Sequence, residues 1–504
     1  MATTLLLGSC VSGSVVGVGE TPVPEQQVPA SGRQLVVAVV DPSGTPLPGA
    51  TVTFTDPSGG HIVLSDNEGM AAFNWTVGPV SISAELVGLL PGEAVVVERP
   101  EEPFSLALHP VVLRGVVTDP AGYQLSNVSV TSGTVETVSG PDGGFELARA
   151  VPGEVVASHP ARVTSRREWN GTDGSLDMVM QPRIVRALHV SAAAASNPSS
   201  WEHLLALGDS TVVNGLVIDL KDDTGRVFYD SQVEVARQAG AVMDWFRLSD
   251  VLADTKERGL YAIGRIVAFI DPLVARTLPG VAVWDQRRDA PFVSNSLWYL
   301  DPSDEEARSY AISLALEACA AGFSEIQFDH VAFPLTQNAA LVFDAAGSEA
   351  ERASALRSFA AEASTRLGRE GCASSVNVLG STMTVQVPGS VGQDFKGLSQ
   401  VVDVLAPTVY PSAYSEDWFG FEDPSDHPGR VVGLALDDGL QKINGPAILR
   451  PWLQDFSYGA SAVKAQIASA ESRGLGWMLW NAASSFTEAA IDAESTLGSE
   501  EPEA

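Results

Sequence analysis

Three aspartates follow apolar segments of strand length in the C-terminal part of the chain: Asp219, Asp329 and Asp455. Two carboxyl groups that flank one bond can share acid and base work, with one ionised and the other kept protonated near neutral pH. Hydrolysis of a glycosidic bond uses this arrangement. These three side chains are therefore our candidates for such chemistry.

Aromatic and amide side chains accompany the aspartates. Trp and Tyr rings stack on the faces of pyranose sugars, while amides and charged groups bind the hydroxyls. Core packing is the better explanation of any single one of these aromatic residues, but the clustering of the group at predicted strand ends favours a sugar site. The candidate substrate-binding residues are Lys221, Arg265, Gln327, Tyr410, Trp452, Gln454, Trp480 and Asn481.

The region from Arg183 onward predicts the elements that position these residues. Apolar runs of strand length alternate with helical segments, which is typical of βα units and a parallel sheet. Eight such units fit a (β/α)8 TIM barrel better than an open sheet, and no Gly-x-Gly-x-x-Gly motif follows the first strand. The predicted strands are 187–195, 214–221, 260–271, 325–333, 374–379, 404–410, 448–456 and 476–481.

Alternation along two predicted strands indicates which side chains face the barrel axis. In the second strand, large apolar residues alternate with Asp219 and Lys221, so we expect both of these near the C-terminal mouth. In the fourth strand the same reasoning turns Gln327 and Asp329 inward. A carboxylate inside a dry barrel is costly without a partner, and Arg265 on the third strand is the predicted partner.

Six blocks of this region occur in a characteristic order: 217–225, 264–272, 322–329, 407–412, 450–456 and 479–482. In this order they resemble a glycosyl hydrolase family of bacterial (β/α)8 barrel proteins. The resemblance implies a glycosidase-type barrel. One departure concerns the segment after Asp329, where the family usually continues Tyr-Val-Arg-Phe-Pro. Here residues 330–334 read His-Val-Ala-Phe-Pro, which removes a positive charge beside the aspartate.

Roles for the three aspartates follow by analogy with α-glycosidase barrels, which place a carboxylate at the end of strand four. Asp329 is the expected nucleophile or stabilising carboxylate. Asp219 is the preferred acid/base partner because its inward orientation is clearer, and Asp455 is the alternative. We predict no cofactor and no metal ion, since Asp222, Asp223 and Asp271 are more typical of loop and helix caps than of a cation site.

Residues 34–182 alternate β-branched and turn residues, which predicts short antiparallel strands. An Asp-Pro-x-Gly turn at Asp41 recurs at Asp119, each time before an alternating strand, so we predict two similar β-sandwich domains with Asp41, Asp119 and Asp142 as turn residues. These segments resemble carboxypeptidase regulatory-like modules. The resemblance implies a spacer role, with carbohydrate contact as the alternative.

The first residues suggest how the protein reaches its compartment. Leu7-Gly8-Ser9-Cys10 resembles a bacterial lipobox, which implies export and a lipid on Cys10; an ordinary small-residue N-terminus is the alternative. No later apolar run is long enough for a transmembrane helix. The predicted organisation is a signal remnant and tether (1–32), two β-sandwich modules (33–109 and 110–182), a barrel (183–497) and an acidic tail (498–504).

Charge and cysteine content restrict the partners. The net charge of −32 disfavours nucleic acid and leaves neutral or amino-sugar polymers as ligands. Cys319 and Cys372 fit either a disulfide or two buried thiols. We therefore predict an extracellular, lipid-anchored glycoside hydrolase of the cell envelope that acts on a polysaccharide. Two other classes remain: a non-catalytic carbohydrate-binding lipoprotein and a structural envelope protein that binds no glycan.

Overall fold

The computed structural model describes residues 34–76, 78–172, 174–335, 340–384 and 391–492. Cys10 and the acidic tail lie outside these residues. The chain divides into two compact units, one ending at Pro110 and the other beginning at Val111. Within the described residues, no helix combines the length and the apolar character that crossing a bilayer requires.

The first unit is a small β module with two sheets around one core. Alternate residues of its first strand, Leu35, Val37 and Val39, pack with Val52 and Phe54 of the other sheet. This alternation fits two sheets packed face to face, each with one face buried. In order of pairing, the strands are Met70–Asn74, Gln34–Val40 and Phe104–Ala107 in one sheet, and Gly59–Leu64, Thr51–Asp56, Val80–Glu85 and Gly92–Val96 in the other.

The second unit begins with a β module of the same topology. Asp41 and Asp119 occupy equivalent turns, where each carboxylate accepts hydrogen bonds from the backbone two and four residues later. The N-terminal region therefore contains two sets of small, mostly antiparallel sheets, consistent with the predicted β-sandwich modules. The equivalent strands are Gly144–Ala148, Val112–Thr118 and Met178–Val179, and Val135–Val138, Ser129–Ser132, Gly153–Ser158 and Ser165–Trp169.

A closed barrel of eight parallel strands follows, as predicted. Each strand pairs with its neighbours in chain order, and the first also pairs with the last. Six predicted strands were too long at their C-terminal ends, three of them by four or five residues, because the residues that follow enter the loops of the mouth. The strands are β1 (Arg186–Val190), β2 (Gly215–Lys221), β3 (Tyr261–Val267), β4 (Glu325–Asp329), β5 (Ala373–Leu379), β6 (Val404–Val409), β7 (Ile448–Leu449 and Trp452–Gln454) and β8 (Trp477–Trp480).

Helices cover the outside of the barrel. On β2, Leu216, Ile218 and Leu220 belong to the core shared with these helices, while Val217 belongs to a separate core inside the barrel. The predicted alternation is thus confirmed along this part of β2. The helices are Ala192–Ser196, Pro198–Ser210, Glu234–Gln238, Leu248–Glu257, Pro272–Thr277, Glu305–Ala321, Glu349–Arg369, Ser381–Thr384, Phe395–Leu398, Pro428–Lys442 and Ala460–Glu471.

The bottom of the barrel, at the N-terminal ends of its strands, is covered by a loop of the second β module. Ala161 packs with Ala373, Val404 and Ile448, which lie at the starts of β5, β6 and β7. The neighbouring Arg162 donates a hydrogen bond to the carbonyl oxygen of Pro446. The second module and the barrel therefore share a core at this end.

An ion pair, a hydrogen bond and a disulfide also hold the bottom of the barrel together. Arg450 Nη1 lies 2.9 and 3.0 Å from the two carboxylate oxygens of Glu325, and the Tyr261 hydroxyl donates to the same carboxylate at 3.2 Å. Glu325 and Arg450 are fully buried. Cys319 and Cys372 form a disulfide between the end of the helix Glu305–Ala321 and the start of β5, which decides between the two predicted alternatives.

Candidate active site

A cavity of about 460 Å³ opens at the mouth of the barrel, where the C-terminal ends of the strands meet. This is the end at which (β/α)8 barrels carry their functional residues. Apolar residues from the loops after β3, β4 and β5 complete its wall. The predicted site residues that line the cavity are Arg265, Asp329, Tyr410 and Trp480.

Arg265 joins two of the predicted aspartates. Its Nη1 donates to Oδ1 of Asp219 at 2.6 Å, and its Nε donates to Oδ2 of Asp329 at 2.9 Å. Its Nη2 donates to the same oxygen of Asp329. The rigid fork of a guanidinium suits this arrangement, because its donors are fixed in one plane. One cation thus bridges two carboxylates at the floor of the mouth.

Asp329 is hydrogen-bonded on both oxygens. Its Oδ1 accepts from the Asn377 amide at 2.8 Å and from the backbone N–H of His330 at 2.6 Å. Burial acts to raise the pKa of Asp329, but the charges of Arg265 and His330 and the side-chain hydrogen bonds from Arg265 and Asn377 outweigh burial and hold the pKa well below its ordinary range. Asp329 is therefore an ionised carboxylate that faces the cavity.

Asp219 binds Arg265 but does not line the cavity. Its Oδ2 lies 2.9 Å from Nε2 of His189, whose Nδ1 lies 2.9 Å from the carbonyl oxygen of Asn481. Burial again acts to raise the pKa of Asp219, but the charges of His189 and Arg265 lower it below the ordinary value. A general acid needs a raised pKa at neutral pH, so this environment does not suit Asp219 for proton donation.

His189 and Asn377 belong to this mouth network with Asp219, Arg265 and Asp329, although the sequence analysis did not single them out. Both follow the alternation that was applied only to β2 and β4. His189 is two residues after Ala187, which belongs to the core inside the barrel. Asn377 likewise lies between two valines that pack outward. Alternation applied to β1 and β5 would have identified both residues.

Trp480 supports the network from β8. Its ring stacks on the imidazole of His189 with 3.9 Å between centroids, and the Cζ atom of Arg265 lies 4.8 Å from its ring centre. A layer of fully buried residues lies beneath it, in which Trp452 Nε1 donates to Oε1 of Gln327 at 3.1 Å. Gln327 and Trp452 therefore support the site from below, and the structure does not place them in the cavity wall.

Lys221 ends β2 but does not line the cavity, contrary to expectation. The pairing of β2 with β3 shifts register between Asp219 and Lys221, and this irregularity ends the simple alternation. The Lys221 ammonium is buried 3.1 Å from Oδ2 of Asp271 and donates to the carbonyl oxygens of Val267 and Ile270. These contacts of the Lys221 ammonium stabilise the fold and do not involve the cavity. Asp271 also accepts from the first backbone N–H groups of the helix Pro272–Thr277, which is the predicted cap.

Asp455 is also outside the cavity. It follows β7, which ends at Gln454, and has the same parity as Leu453, which packs outward. Its carboxylate accepts from the backbone N–H of Thr487 at 2.8 Å and from the Thr487 hydroxyl at 2.6 Å. The alternative acid/base role of Asp455 therefore has no support from its position.

Gln454 and Asn481 hold loops in place around the mouth. Gln454 is fully buried and accepts a hydrogen bond from the Ser412 hydroxyl at 3.0 Å. The Asn481 amide donates to the carbonyl oxygen of Asp455 at 2.7 Å. Neither side chain lines the cavity, so both act on the site through the loops that they connect.

The family model described as "Putative glycosyl hydrolase domain" matches residues 187–486, more than half of the chain. Solved structures with a similar fold include a hypothetical protein of Ruminiclostridium thermocellum (30% identity, 38% of this chain and 96% of that chain, TM-score 0.35). They also include the PgaB (BpsB) glycoside hydrolase domain of Bordetella bronchiseptica (12% identity, 60% of this chain and 95% of that chain, TM-score 0.46). A third is the PelA glycoside hydrolase domain of Pseudomonas aeruginosa (13% identity, 60% of this chain and 97% of that chain, TM-score 0.35). No curated protein sequence matches significantly.

The chain belongs to this glycosyl hydrolase family, and the match coincides with the barrel. The predicted family resemblance is thus confirmed, and with it the assignment to a glycoside hydrolase class of enzyme. The mouth network and its cavity both lie within the matched residues.

Proposed function

We propose that this protein is an exported glycoside hydrolase that cleaves a polysaccharide in the mouth cavity, with Asp329 as nucleophile or stabilising carboxylate. The observation that carries this proposal is the environment of Asp329. An ionised carboxylate is costly to bury, yet four donors keep this one charged at the edge of an open cavity. Such a charge can stabilise the positive charge that develops at the anomeric carbon.

The second carboxylate acts through Arg265 in this proposal. Asp219 binds the guanidinium on the side away from the cavity, and His189 binds Asp219 in turn. These contacts fix the orientation of Arg265, and therefore of the Asp329 carboxylate. Asp219 is thus a positioning residue, while Asp329 is the catalytic residue of the predicted pair.

The substrate class follows from charge and from the cavity wall. A net charge of −32 repels polyanions and attracts cationic groups, so a neutral or amino-sugar polymer is the proposed substrate. Tyr410 and Trp480 offer aromatic surface in a cavity whose wall is otherwise largely apolar. Such a wall favours the carbon faces of sugar rings over highly charged substituents.

An extracellular, lipid-anchored location is part of the same proposal. The disulfide between Cys319 and Cys372 supports it, because such bonds rarely persist in a reducing cytosol. Lipid attachment at Cys10 concerns a residue outside the described structure. We also propose that the first β module is a carboxypeptidase regulatory-like spacer, whereas the second covers the bottom of the barrel.

The test is incubation of wild type, Asp329→Asn and Asp455→Asn with a panel of bacterial cell-wall polysaccharides and exopolysaccharides, followed by mass spectrometry of the products. We expect oligosaccharides from wild type and Asp455→Asn and none from Asp329→Asn, with glycan binding retained by all three. Binding without products from wild type would identify a non-catalytic carbohydrate-binding protein. No glycan binding on an array would leave only a structural role.

A further inference from the structure

His330 follows Asp329 directly and has an unusual backbone. Its φ of 50° lies in the left-handed region, which few residues other than glycine adopt. This conformation directs the backbone N–H of His330 onto Oδ1 of Asp329 at 2.6 Å. The residue is exposed and lines the mouth cavity. Strained backbone of this kind concentrates at functional sites.

We propose that His330 is a further catalytic residue, which donates a proton to the departing glycosidic oxygen and later accepts one from the attacking water. This inference rests on the proposed glycoside hydrolase function and names the proton donor that the function requires. The role of proton donor is left open by the geometry, because Asp219 does not line the cavity. An imidazole can both donate and accept a proton in catalysis, which is what this role requires.

Tyr410 is the competing proton donor in the cavity. Burial raises the pKa of Tyr410 well above its ordinary value, and the negative charge of Asp329 raises the pKa further, with Arg265 opposing both effects. A phenol in this state donates hydrogen bonds but transfers its proton reluctantly. Tyr410 is therefore suited to orient a substrate oxygen, and the imidazole is the better acid.

The proposed reaction balances without a co-reactant other than water. The imidazolium proton of His330 passes to the glycosidic oxygen as the C1–O bond breaks, and the bonding electron pair leaves with that oxygen. Asp329 offsets the positive charge at C1, either by its field or by a transient C1–O bond. Water then bonds to C1, any C1–O bond to Asp329 breaks with its electron pair returning to the carboxylate, and a proton of the water passes to the neutral imidazole. The imidazolium form is restored, and the products are an alcohol and a hemiacetal.

The charged and titratable groups that line the cavity with His330 set its pH dependence. These groups are Asp329 on β4, Arg265 on β3, and the phenols of Tyr299 and Tyr410, whose pKa values burial raises so that they stay neutral near pH 7. Proton donation requires the imidazolium, so the rate of bond cleavage should fall as the pH rises and the imidazole loses its proton. On the acid side of the pH profile, the rate of bond cleavage falls only where Asp329 becomes protonated.

The test compares two leaving groups. We suggest measuring kcat against pH for the polysaccharide that wild type cleaves, and for the 2,4-dinitrophenyl glycoside of the oligosaccharide that it releases. The variants are His330→Asn, which tolerates the left-handed backbone, and His330→Ala. His203→Gln is the matched control, because this exposed histidine lies on the outer helix Pro198–Ser210 and pairs with Glu488. Circular dichroism verifies that each variant is folded.

Loss of a general acid lowers the rate by about 10²–10⁴-fold. We expect a loss of this size on the polysaccharide for both His330 variants and less than about tenfold on the dinitrophenyl glycoside, whose leaving group needs no proton. The alkaline fall in kcat should disappear for the second substrate. Equal losses on both substrates, or an unchanged rate and pH profile, would overturn the inference while leaving the proposed function intact. Absence of wild-type products would instead overturn the proposed function itself.

Discussion

The two ends of the barrel carry similar bonds in different surroundings. One strand, β4, supplies a carboxylate to each: Glu325 at its start binds Arg450, and Asp329 at its end binds Arg265. At the bottom, Ala161 of the second β module packs over the strand starts, and the ion pair is sealed from water. At the mouth, the pair faces a cavity. Access to a ligand, and not the type of bond, separates a structural ion pair from a candidate catalytic one.

The difference also explains the residues around each pair. The pair at the bottom is supplemented by a tyrosine hydroxyl, a disulfide and a covering loop, all of which restrict movement. At the mouth, Asp329 holds its charge through hydrogen bonds and still reaches the cavity. We therefore expect substitutions at the bottom to change stability and substitutions at the mouth to change activity. Four measurements of stability test this separation.

The largest expected effect on stability is that of Glu325→Gln. The substitution leaves the buried guanidinium of Arg450 without a counter-charge, which should lower the free energy of unfolding by about 3–5 kcal/mol. Chemical denaturation measures this change. The double variant Glu325→Leu with Arg450→Met should recover most of the loss, because an apolar pair of similar volume has no charge to bury. A single variant as stable as wild type would show that the pair is not structural.

Removal of the disulfide should have the next largest effect. Joint Cys319→Ala and Cys372→Ala substitution opens a link across a sequence separation of 53 residues. The expected loss is about 2–4 kcal/mol in the free energy of unfolding. Reduction of wild type with dithiothreitol should reproduce the loss, and polysaccharide turnover below the melting temperature should stay unchanged. A large loss of turnover in the folded variant would contradict the separation of the two ends.

Arg162→Ala tests the loop that covers the bottom. Arg162 is buried and its charged side chain donates to Pro446, so its loss should lower the free energy of unfolding by about 1.5–3 kcal/mol. Arg166→Ala is the matched control, since that arginine forms an exposed ion pair with Glu154 in the same module. Exposed pairs contribute about 1 kcal/mol or less. Equal effects of the two variants would indicate that the second module does not support the barrel.

The smallest effect is the acid dependence of stability at the mouth. The folded-state pKa of Asp329 is lowered, so the stability it contributes is present above the ordinary carboxyl pKa of about 4 and is lost as pH falls through the folded value. The stability difference between wild type and Asp329→Asn should therefore be constant from pH 7 to about 5 and shrink below about pH 4. Thermal denaturation across this range measures it. A difference that grew on acidification would contradict the lowered pKa.

Much of the fold could be predicted from the sequence because its signals are local. Strand-length apolar runs, alternation on β2 and the recurring Asp-Pro-x-Gly turn predicted the barrel and both β modules. The site was less predictable, because alternation holds only along a regular strand. A register shift took Lys221 out of the cavity wall, and Asp455 has the parity of Leu453, which packs outward. The packing of the second β module on the barrel could not be predicted, because no periodic pattern in the sequence of either one indicates it.

The most direct test of the account compares the two carboxylates of β4 in one assay. Initial rates of reducing-end release from the polysaccharide that wild type cleaves would be measured for Asp329→Asn and Glu325→Gln, at a temperature where circular dichroism shows all three proteins folded. The account predicts a loss of about 10⁴-fold for Asp329→Asn and a rate within about twofold of wild type for Glu325→Gln. Wild-type turnover by Asp329→Asn, or equal losses in both variants, would contradict it.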